Sequence, residues 1–303
     1  MTIPFIKYSK IWLFISAAIS VACLALLLIW GLKPGIDFTG GSLLELSFSN
    51  ARPTTADMVK SLDDLELKNS VVQMSESDRV IIRTNFLTED QHQLVLKKIR
   101  EAYQKDDNTV REESFVTIGS TVSQQLRRRA LWAIIFVNLG IIAYVAYAFR
   151  KVSFPVVSWK YGLLAIVALL HDVLLVMGIF SLLGHYYGVE VDIGFVVAIL
   201  TVLGYSVNDT IVVYDRIREN LLRRTAETFP DVVNNGLNQT LMRSINTTLK
   251  TILPLIALYF LGGPTIHNFT LALWIGIASG AYSSIFIASP LLVIVEKWQR
   301  RAV

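Results

Sequence analysis

Six long apolar stretches dominate this chain and constrain what it can fold into. Hydrophobic residues make up 53% of its 303 residues, and the mean hydropathy is +0.51. A helix needs about 20 apolar residues to cross the hydrocarbon core of a bilayer, where backbone polar groups must be paired within the protein. We therefore predict a polytopic α-helical membrane protein. Its six predicted transmembrane helices are Ile11–Trp30, Ala130–Phe149, Tyr161–Leu183, Ile193–Tyr214, Ser244–Leu261 and Phe269–Val295.

The charges around these stretches predict their orientation. A cleaved signal peptide is the alternative for the first stretch, but its apolar core is too long and no small-residue cleavage site follows. Lys7 and Lys10 precede it, and other basic residues follow the fourth and sixth stretches, which places both ends in the cytoplasm. The predicted parts are a first helix at 1–34, an outer domain at 35–126, and five helices at 127–303. A basic cytoplasmic loop is predicted at 215–243, with short helices at Asp215–Arg224 and Val232–Arg243.

The outer domain shows the order β-α-β-β-α-β, which is typical of the ferredoxin-like α+β sandwich. Its second helix, Thr88–Gln104, opens with a capping box, because Thr88 is followed three residues later by Gln91. We expect His92 to lie on the solvated face of that helix. The other predicted elements are a helix at Thr54–Leu67 and strands at Ser42–Phe48, Val71–Glu76, Arg79–Asn85 and Ser114–Ile118.

A glycine-rich segment, GIDFTGGS at residues 35–42, joins the first helix to this domain. A phosphate-binding loop is one interpretation, but no Lys-Ser/Thr pair follows it. A tight turn is favoured instead, in which Gly35, Gly40 and Gly41 supply backbone freedom and Asp37 and Thr39 bond to local amides.

Ionisable groups inside apolar stretches are the strongest functional signal. Asp209 lies in the fourth stretch beside Asn208, and an acid at the bilayer centre costs roughly 2.5–3.5 kcal/mol on insertion scales. A structural role near the helix end is the alternative for Asp209. Gly204 and Ser206, one turn earlier, predict close helix approach. His171 and Asp172 lie midway along the third stretch and are read either as a proton-handling pair or as contacts between helices.

One face of the fifth stretch is cationic. Arg243, Thr247 and Lys250 are spaced by four and three, so a helix places them on one side. An unpaired cation in an apolar span is costly, and we predict that Asp209 pairs with Arg243 or with Lys250. If helix motion alternates these surroundings, Asp209 can bind a proton in one state and release it in the other. Thr247 either holds a water of that path or bonds to its own helix.

Other functions find little support in the residues. Four scattered histidines show no metal-ligand spacing, the single Cys23 excludes an intrachain disulfide, and neither a nucleotide-binding loop nor a catalytic triad is present. No cofactor or metal, no enzymatic activity and no nucleic-acid partner are predicted. Arg127–Arg129 follow the outer domain, which is an exception to the rule that basic residues flank membrane helices on the cytoplasmic side. They either bind lipid headgroups or a partner's acids, or extend toward the headgroups from the helix end.

Several segments together resemble the SecD/SecF family of protein-export membrane proteins, on the SecF side, within the RND (resistance-nodulation-division) superfamily. The segments are GIDFTGG, HDVLLVMGIFSLL, VDIGFVVAILTVLGYSVNDTIVVYDRIREN, NQTLMRS and GAYSSIFIASPLL. The resemblance implies half of a twelve-helix domain in a bacterial or archaeal cytoplasmic membrane, in which the proton-motive force assists preprotein translocation. The partners it implies are SecD, the SecY/SecE/SecG translocon, YajC and YidC, unfolded preprotein, membrane lipids and protons. By motif, Asp209 resembles the proton-carrying acid, Arg243 its arginine partner and Thr247 a nearby polar position.

Two features depart from that family pattern. Gly119-Ser120 stands where Gly-Pro is expected, and Lys250 lies in an expected threonine-rich run. Pro254 either kinks the fifth helix or is tolerated there beside neighbouring helices. Two other functions stay open at this stage: a small-molecule or lipid exporter of the same superfamily, and an assembly factor that holds a translocon together. The exporter would need larger outer domains, and the assembly factor would tolerate neutralisation of Asp209.

Overall fold

The computed structural model describes residues 2–301 apart from 51, 64, 66, 68–69, 76–77, 105–106 and 150–156. The chain forms two compact units, one made of residues 1–33 and 130–303 and the other of residues 34–129. A 3-10 turn at Ile6–Tyr8 precedes the first helix. The elements are α1 Ser9–Ile29, α2 Ile36–Thr39, β1 Gly41–Phe48, α3 Thr55–Asp63, β2 Val71–Ser75, β3 Arg79–Thr84, α4 Glu89–Tyr103, β4 Val110–Ile118, α5 Ser120–Ala148, α6 Ser158–Tyr187, α7 Ile193–Leu222, α8 Phe229–Leu261, α9 Pro264–Ser283, a π-helical segment Ser284–Ala288, and α10 Ser289–Arg301.

The smaller unit is the predicted ferredoxin-like sandwich. Its antiparallel sheet has the order β2-β3-β1-β4, with Leu44 opposite Ile82 on β3 and Phe115 on β4. Alternate residues of β1, namely Leu44, Leu46 and Phe48, are buried against α3 and α4, as the two-residue period of a half-covered strand requires. The Thr88 capping box is present, with Gln91 as its partner. The predicted strand end Glu76 lies outside the described residues.

His92 corrects one prediction, because it is buried with 3% of its surface exposed. Its ring stacks on Phe115 of β4, with centroids 3.7 Å apart and planes 1° apart. Nδ1 lies 3.4 Å from a Glu89 oxygen and Nε2 lies 3.1 Å from a Glu112 oxygen. The prediction of a solvated histidine was wrong because the charged neighbours of His92 in the sequence gave no indication of its contact with Phe115 between α4 and β4.

The glycine-rich segment forms a turn into the sheet. Residues 36–39 make the single helical turn α2, and β1 begins at Gly41. Gly40 has φ +76° and Gly41 φ +123°, which side chains rarely tolerate, and a Cβ on Gly41 would lie 2.6 Å from the Thr84 carbonyl oxygen. Thr39 donates its hydroxyl hydrogen to the carbonyl oxygens of Gly35 and Gly40, rather than to amides as predicted.

The larger unit contains six helices that are long and apolar enough to cross a membrane, among the residues described. They are Ile6–Ile29, Ser120–Ala148, Trp159–Tyr187, Ile193–Leu222, Phe229–Leu261 and Ile266–Gln299, of which the last runs through α9, the π-helical segment and α10. At least half of the most apolar 18-residue stretch is buried in the third, fourth and sixth, but only 6–11% of it in the first, second and fifth. Three central helices, α6, α7 and α9, therefore form the core of this unit.

Two glycines of α9 allow it to approach α7 closely. A Cβ on Gly276 would lie 2.3 Å from Val202 Cγ2, and one on Gly280 would lie 2.8 Å from Ser206 Cβ. Small residues four apart permit this kind of contact between membrane helices. Ser206 thus lies at a close contact as predicted, but Gly204 does not, since it is exposed and a Cβ there would meet open space.

The predicted basic loop at 215–243 is instead the ends of two long helices. α7 continues to Leu222, because Tyr214 and Ile217 extend its buried stripe and Glu219 pairs with Arg216 and Arg223 along its surface. The link between helices is only 223–228. Thr228 caps α8, and Pro230 lies in its first turn. The proline therefore belongs to the start of α8 and not to a loop before a short helix at Val232. Pro254 is accommodated within α8, which runs unbroken to Leu261.

Candidate functional site: two buried carboxylates in the helix core

Asp172 of α6 is held by three serine hydroxyls in the middle of the helix core. No part of its surface is exposed. Ser206 of α7 and Ser283 of α9 donate to Oδ2, each at 2.7 Å, and Ser279 of α9 donates to Oδ1 at 2.6 Å. Buried polar groups need such partners, and a charged one in an apolar span needs several.

Asp209 of α7 is held in the same way. It is 8% exposed, and its two oxygens accept from different elements: Ser244 of α8 donates to Oδ1 and Ser284 of the π-helical segment donates to Oδ2, each at 2.6 Å. Ser206, a partner of Asp172, lies three residues before Asp209 on the same helix. The two acids are therefore neighbouring parts of one polar layer inside the core.

The π-helical segment is supported by side chains on both sides. Its wider turn departs from the regular helical hydrogen-bond pattern, so some carbonyl groups need other donors. The Tyr214 hydroxyl of α7 donates to the Ala288 carbonyl oxygen at 3.1 Å, and the Ser289 hydroxyl donates to the Ser284 carbonyl oxygen at 2.9 Å. Short π-helical stretches inside α-helices are frequent at functional sites. This one places Ser284 against Asp209.

The predicted ion pair of Asp209 is absent from this structure. Arg243, Thr247 and Lys250 do lie along one face of α8, but that face is exposed. Ser244 faces Asp209 instead, because consecutive helical residues point about 100° apart. Within the described part of the chain, no basic side chain forms an ion pair or a hydrogen bond with Asp209. The sequence predicted the helix that meets Asp209, and in this structure the side chain of that helix that bonds to it is Ser244.

Three other predicted residues lie away from the carboxylates. The Thr247 hydroxyl donates to the Arg243 carbonyl oxygen at 2.8 Å, which is the helix-bonding alternative. Asn208 is exposed on α7. His171 is buried, but its Nδ1 pairs with the Ser20 hydroxyl of α1 at 2.8 Å, and its ring lies 6.1 Å from that of Tyr282. His171 and Asp172 thus face different partners, and His171 connects α6 to α1.

The serines are functional candidates that the sequence argument missed. A signal was available, since Ser279 and Ser283 are four residues apart in a segment that also contains Gly276 and Gly280. Small polar residues at this spacing predict a hydroxyl-lined face that packs closely on another helix. Among the described residues, no three metal-ligating side chains come together.

Comparison with known proteins agrees with this architecture. The family described as "Protein export membrane protein SecD/SecF, C-terminal" matches residues 97–298, and the SecD/SecF GG motif matches residues 26–51. The chain belongs to the SecD/SecF family. The protein translocase subunit SecF of Thermobaculum terrenum is 42% identical over 97% of this chain and 94% of its own. SecF of Synechocystis is 39% identical over 99% of this chain and 96% of its own.

A solved structure of the SecD/SecF family has the same fold. The crystal structure of SecDF, a translocon-associated membrane protein from Thermus thermophilus, matches 98% of this chain and 39% of its own, with a TM-score of 0.83 and 31% identity. The six membrane helices and the outer α+β domain are thus those of this family. The GG motif coincides with the turn in which Gly40 and Gly41 adopt positive φ. Relatives in this family are subunits of a protein translocase, a transport role.

Proposed function

We propose that this chain is the SecF subunit of a SecDF complex that couples the proton-motive force to preprotein translocation across the cytoplasmic membrane. In this proposal Asp209 takes up and releases the transported proton. The observation that supports it is a carboxylate in a membrane-spanning helix held only by hydroxyl groups among the described residues. Burial disfavours an ionised carboxylate, whereas hydroxyl donors stabilise it. A hydroxyl can also accept from the protonated acid, so both states can be bonded.

The exposed cations of α8 provide the alternating partner. Arg243 directly precedes Ser244, and a turn of α8 by about 100° would replace the serine hydroxyl with the guanidinium group. Arg243 would then stabilise the ionised form of Asp209 and favour release of its proton. A membrane potential supplies about 2.3 kcal/mol per charge per 100 mV for such a cycle. Lys250 and Thr247 lie on the same exposed face, where they are available to a second helical domain.

SecD is the proposed source of that second domain. The solved SecDF chain is more than twice as long as this one, and the present chain covers 39% of it. The largely exposed helices α1, α5 and α8 are suited to pack against a further set of helices. We propose the SecY/SecE/SecG translocon, with YajC and YidC, as the surrounding machinery and unfolded preprotein as the cargo. We propose that both chain ends lie in the cytoplasm, on the basis of the basic residues beside the helices.

Preprotein transport in sealed membrane vesicles tests the proposal, with and without a proton gradient. Asp209→Asn keeps the shape of the side chain and removes the titrating group. We expect it to abolish the gradient-dependent part of transport while leaving the remainder. Asp215→Asn is the matched control, since Asp215 lies on the same helix but is 57% exposed and pairs with Arg218. Gradient-dependent transport that survives in Asp209→Asn, at normal protein levels, would show that Asp209 is structural and favour the assembly-factor function.

A further inference from the structure

Ser283 and Ser284 are consecutive residues that serve different carboxylates. Ser283 donates to Asp172 at 2.7 Å, and Ser284 donates to Asp209 at 2.6 Å. Each hydroxyl also has a second acceptor within reach, the carbonyl oxygen three residues earlier. These are Gly280 O at 3.2 Å from Ser283 and Ala281 O at 3.1 Å from Ser284. A serine hydroxyl has one hydrogen and can donate it to only one acceptor at a time.

The two acceptors of each serine make it sensitive to the charge of its carboxylate. An ionised carboxylate attracts the hydrogen more strongly than a backbone carbonyl, because charge-assisted hydrogen bonds are roughly twice as strong as neutral ones. Once the carboxylate is protonated that advantage falls, and the hydroxyl is free to turn to its own helix. Each serine thus has two alternative hydrogen-bonding arrangements, one for each protonation state of its acid.

The two serines cannot respond independently. They are adjacent where α9 meets the π-helical segment, whose other hydrogen bonds come from Tyr214 and Ser289. Asp172 also accepts from Ser206, one turn from Asp209 on α7. A shift of the π-helical segment that follows a change in protonation of one acid therefore also moves the serine hydroxyl bonded to the other acid.

None of the other charged and titratable groups of the surrounding helices bonds to either acid, among the described residues. His171 pairs with Ser20, Tyr282 with Ser16 and Tyr214 with Ala288, while Arg243 and Lys250 are exposed. Cys23, Tyr161, Tyr205 and Glu296 also lie on packed helices, and no hydrogen bond joins any of them to Asp172 or Asp209 among the described residues.

We infer that Asp172 and Asp209 form one coupled proton-binding unit, in which Ser283 and Ser284 are the positioning residues that transmit the protonation state of one acid to the other. The inference rests on the proposed function for the role of Asp209. It adds that the acid on α6 belongs to the same unit and that the π-helical segment is the element that moves.

Infrared difference spectroscopy tests the coupling in the full chain reconstituted with its partner subunit in lipid vesicles. The carbonyl band of a protonated carboxyl group depends on its hydrogen bonds, and the bands are assigned by their loss in Asp172→Asn and Asp209→Asn. The decisive variant is Ser283→Ala, since the Ser283 hydroxyl bonds to Asp172 and makes no contact with Asp209 among the described residues. We expect it to shift the Asp209 band as well as the Asp172 band. Thr270→Ala, which removes a buried hydroxyl bonded only to the Ile266 carbonyl oxygen of the same helix, should shift neither.

Reciprocal variants keep the test decisive if Ser283→Ala does not accumulate. Ser284→Ala should shift the Asp172 band, and Asp172→Asn should shift the Asp209 band. An Asp209 band that stays in place in these variants, or an Asp172 carboxyl that never titrates, overturns the coupling. The proposed function then still stands if Asp209 titrates and Asp209→Asn abolishes gradient-dependent transport. Coupled bands together with undiminished transport in Asp209→Asn would instead overturn the proposed function and leave the coupling intact.

Discussion

Gly276→Ala should destabilise the helix core, because the contact between α9 and α7 leaves no room for a methyl group. The added Cβ would lie 2.3 Å from Val202 Cγ2 and 3.1 Å from Val202 Cβ. Carbon atoms pack best at about 3.5–4.0 Å, so the helices must separate by roughly 1 Å or Val202 must turn. A helical valine has one strongly preferred rotamer and cannot turn without strain.

The magnitude follows from two opposing effects. Overpacking of this kind costs about 1–3 kcal/mol, and the higher helix propensity of alanine returns up to about 1 kcal/mol. Gly204→Ala is the matched control, since a Cβ at Gly204 meets nothing within 4 Å. Both changes gain the same propensity, so the difference between the two variants isolates the packing cost. We expect Gly204→Ala to be the more stable by about 1–3 kcal/mol.

Unfolding of the purified chain in mixed micelles measures this difference. A denaturing detergent is titrated in and the helical circular dichroism is recorded for both variants and the unaltered chain. A structural consequence accompanies the change in stability, because separation of α9 from α7 would stretch the 2.6 Å hydrogen bond from Ser284, directly after α9, to Asp209 of α7. Equal free energies of unfolding for the two variants would refute the close approach of α7 and α9.

Two further predictions concern single contacts. Gly41→Ala should destabilise the outer domain by about 1–3 kcal/mol from backbone strain alone, because Gly41 has φ +123° and faces the Thr84 carbonyl oxygen. Thermal unfolding of the full chain checks it, and Gly119→Ala, where a Cβ meets open space, should have little effect. Tyr214→Phe should cost about 1–3 kcal/mol, since the Ala288 carbonyl oxygen loses its donor. Tyr205→Phe should cost nothing in the same detergent titration, because the buried Tyr205 hydroxyl makes no hydrogen bond within the described chain; equal losses would contradict the role of Tyr214.

The order and type of the elements could be predicted from the sequence because they depend on neighbours along the chain. Apolar length predicted the six membrane helices, and the β-α-β-β-α-β order together with the Thr88 capping box predicted the outer sandwich. Element ends were less predictable. The charges of Asp215–Arg224 indicated a surface helix, yet the buried Tyr214 and Ile217 simply carry α7 further.

The partners of the buried acids were decided by tertiary structure. Composition showed that Asp172 and Asp209 needed partners inside the membrane, but several side chains on neighbouring helices could have supplied them. Arg243 and Ser244 differ by one position, about 100° of helix rotation, and only packing decides which of them meets Asp209. His92 of α4 is a second case, because its burial depends on its contact with Phe115 of β4. Local sequence thus determined which groups enter the core, and the rotation and close approach of the helices determined which of them touch.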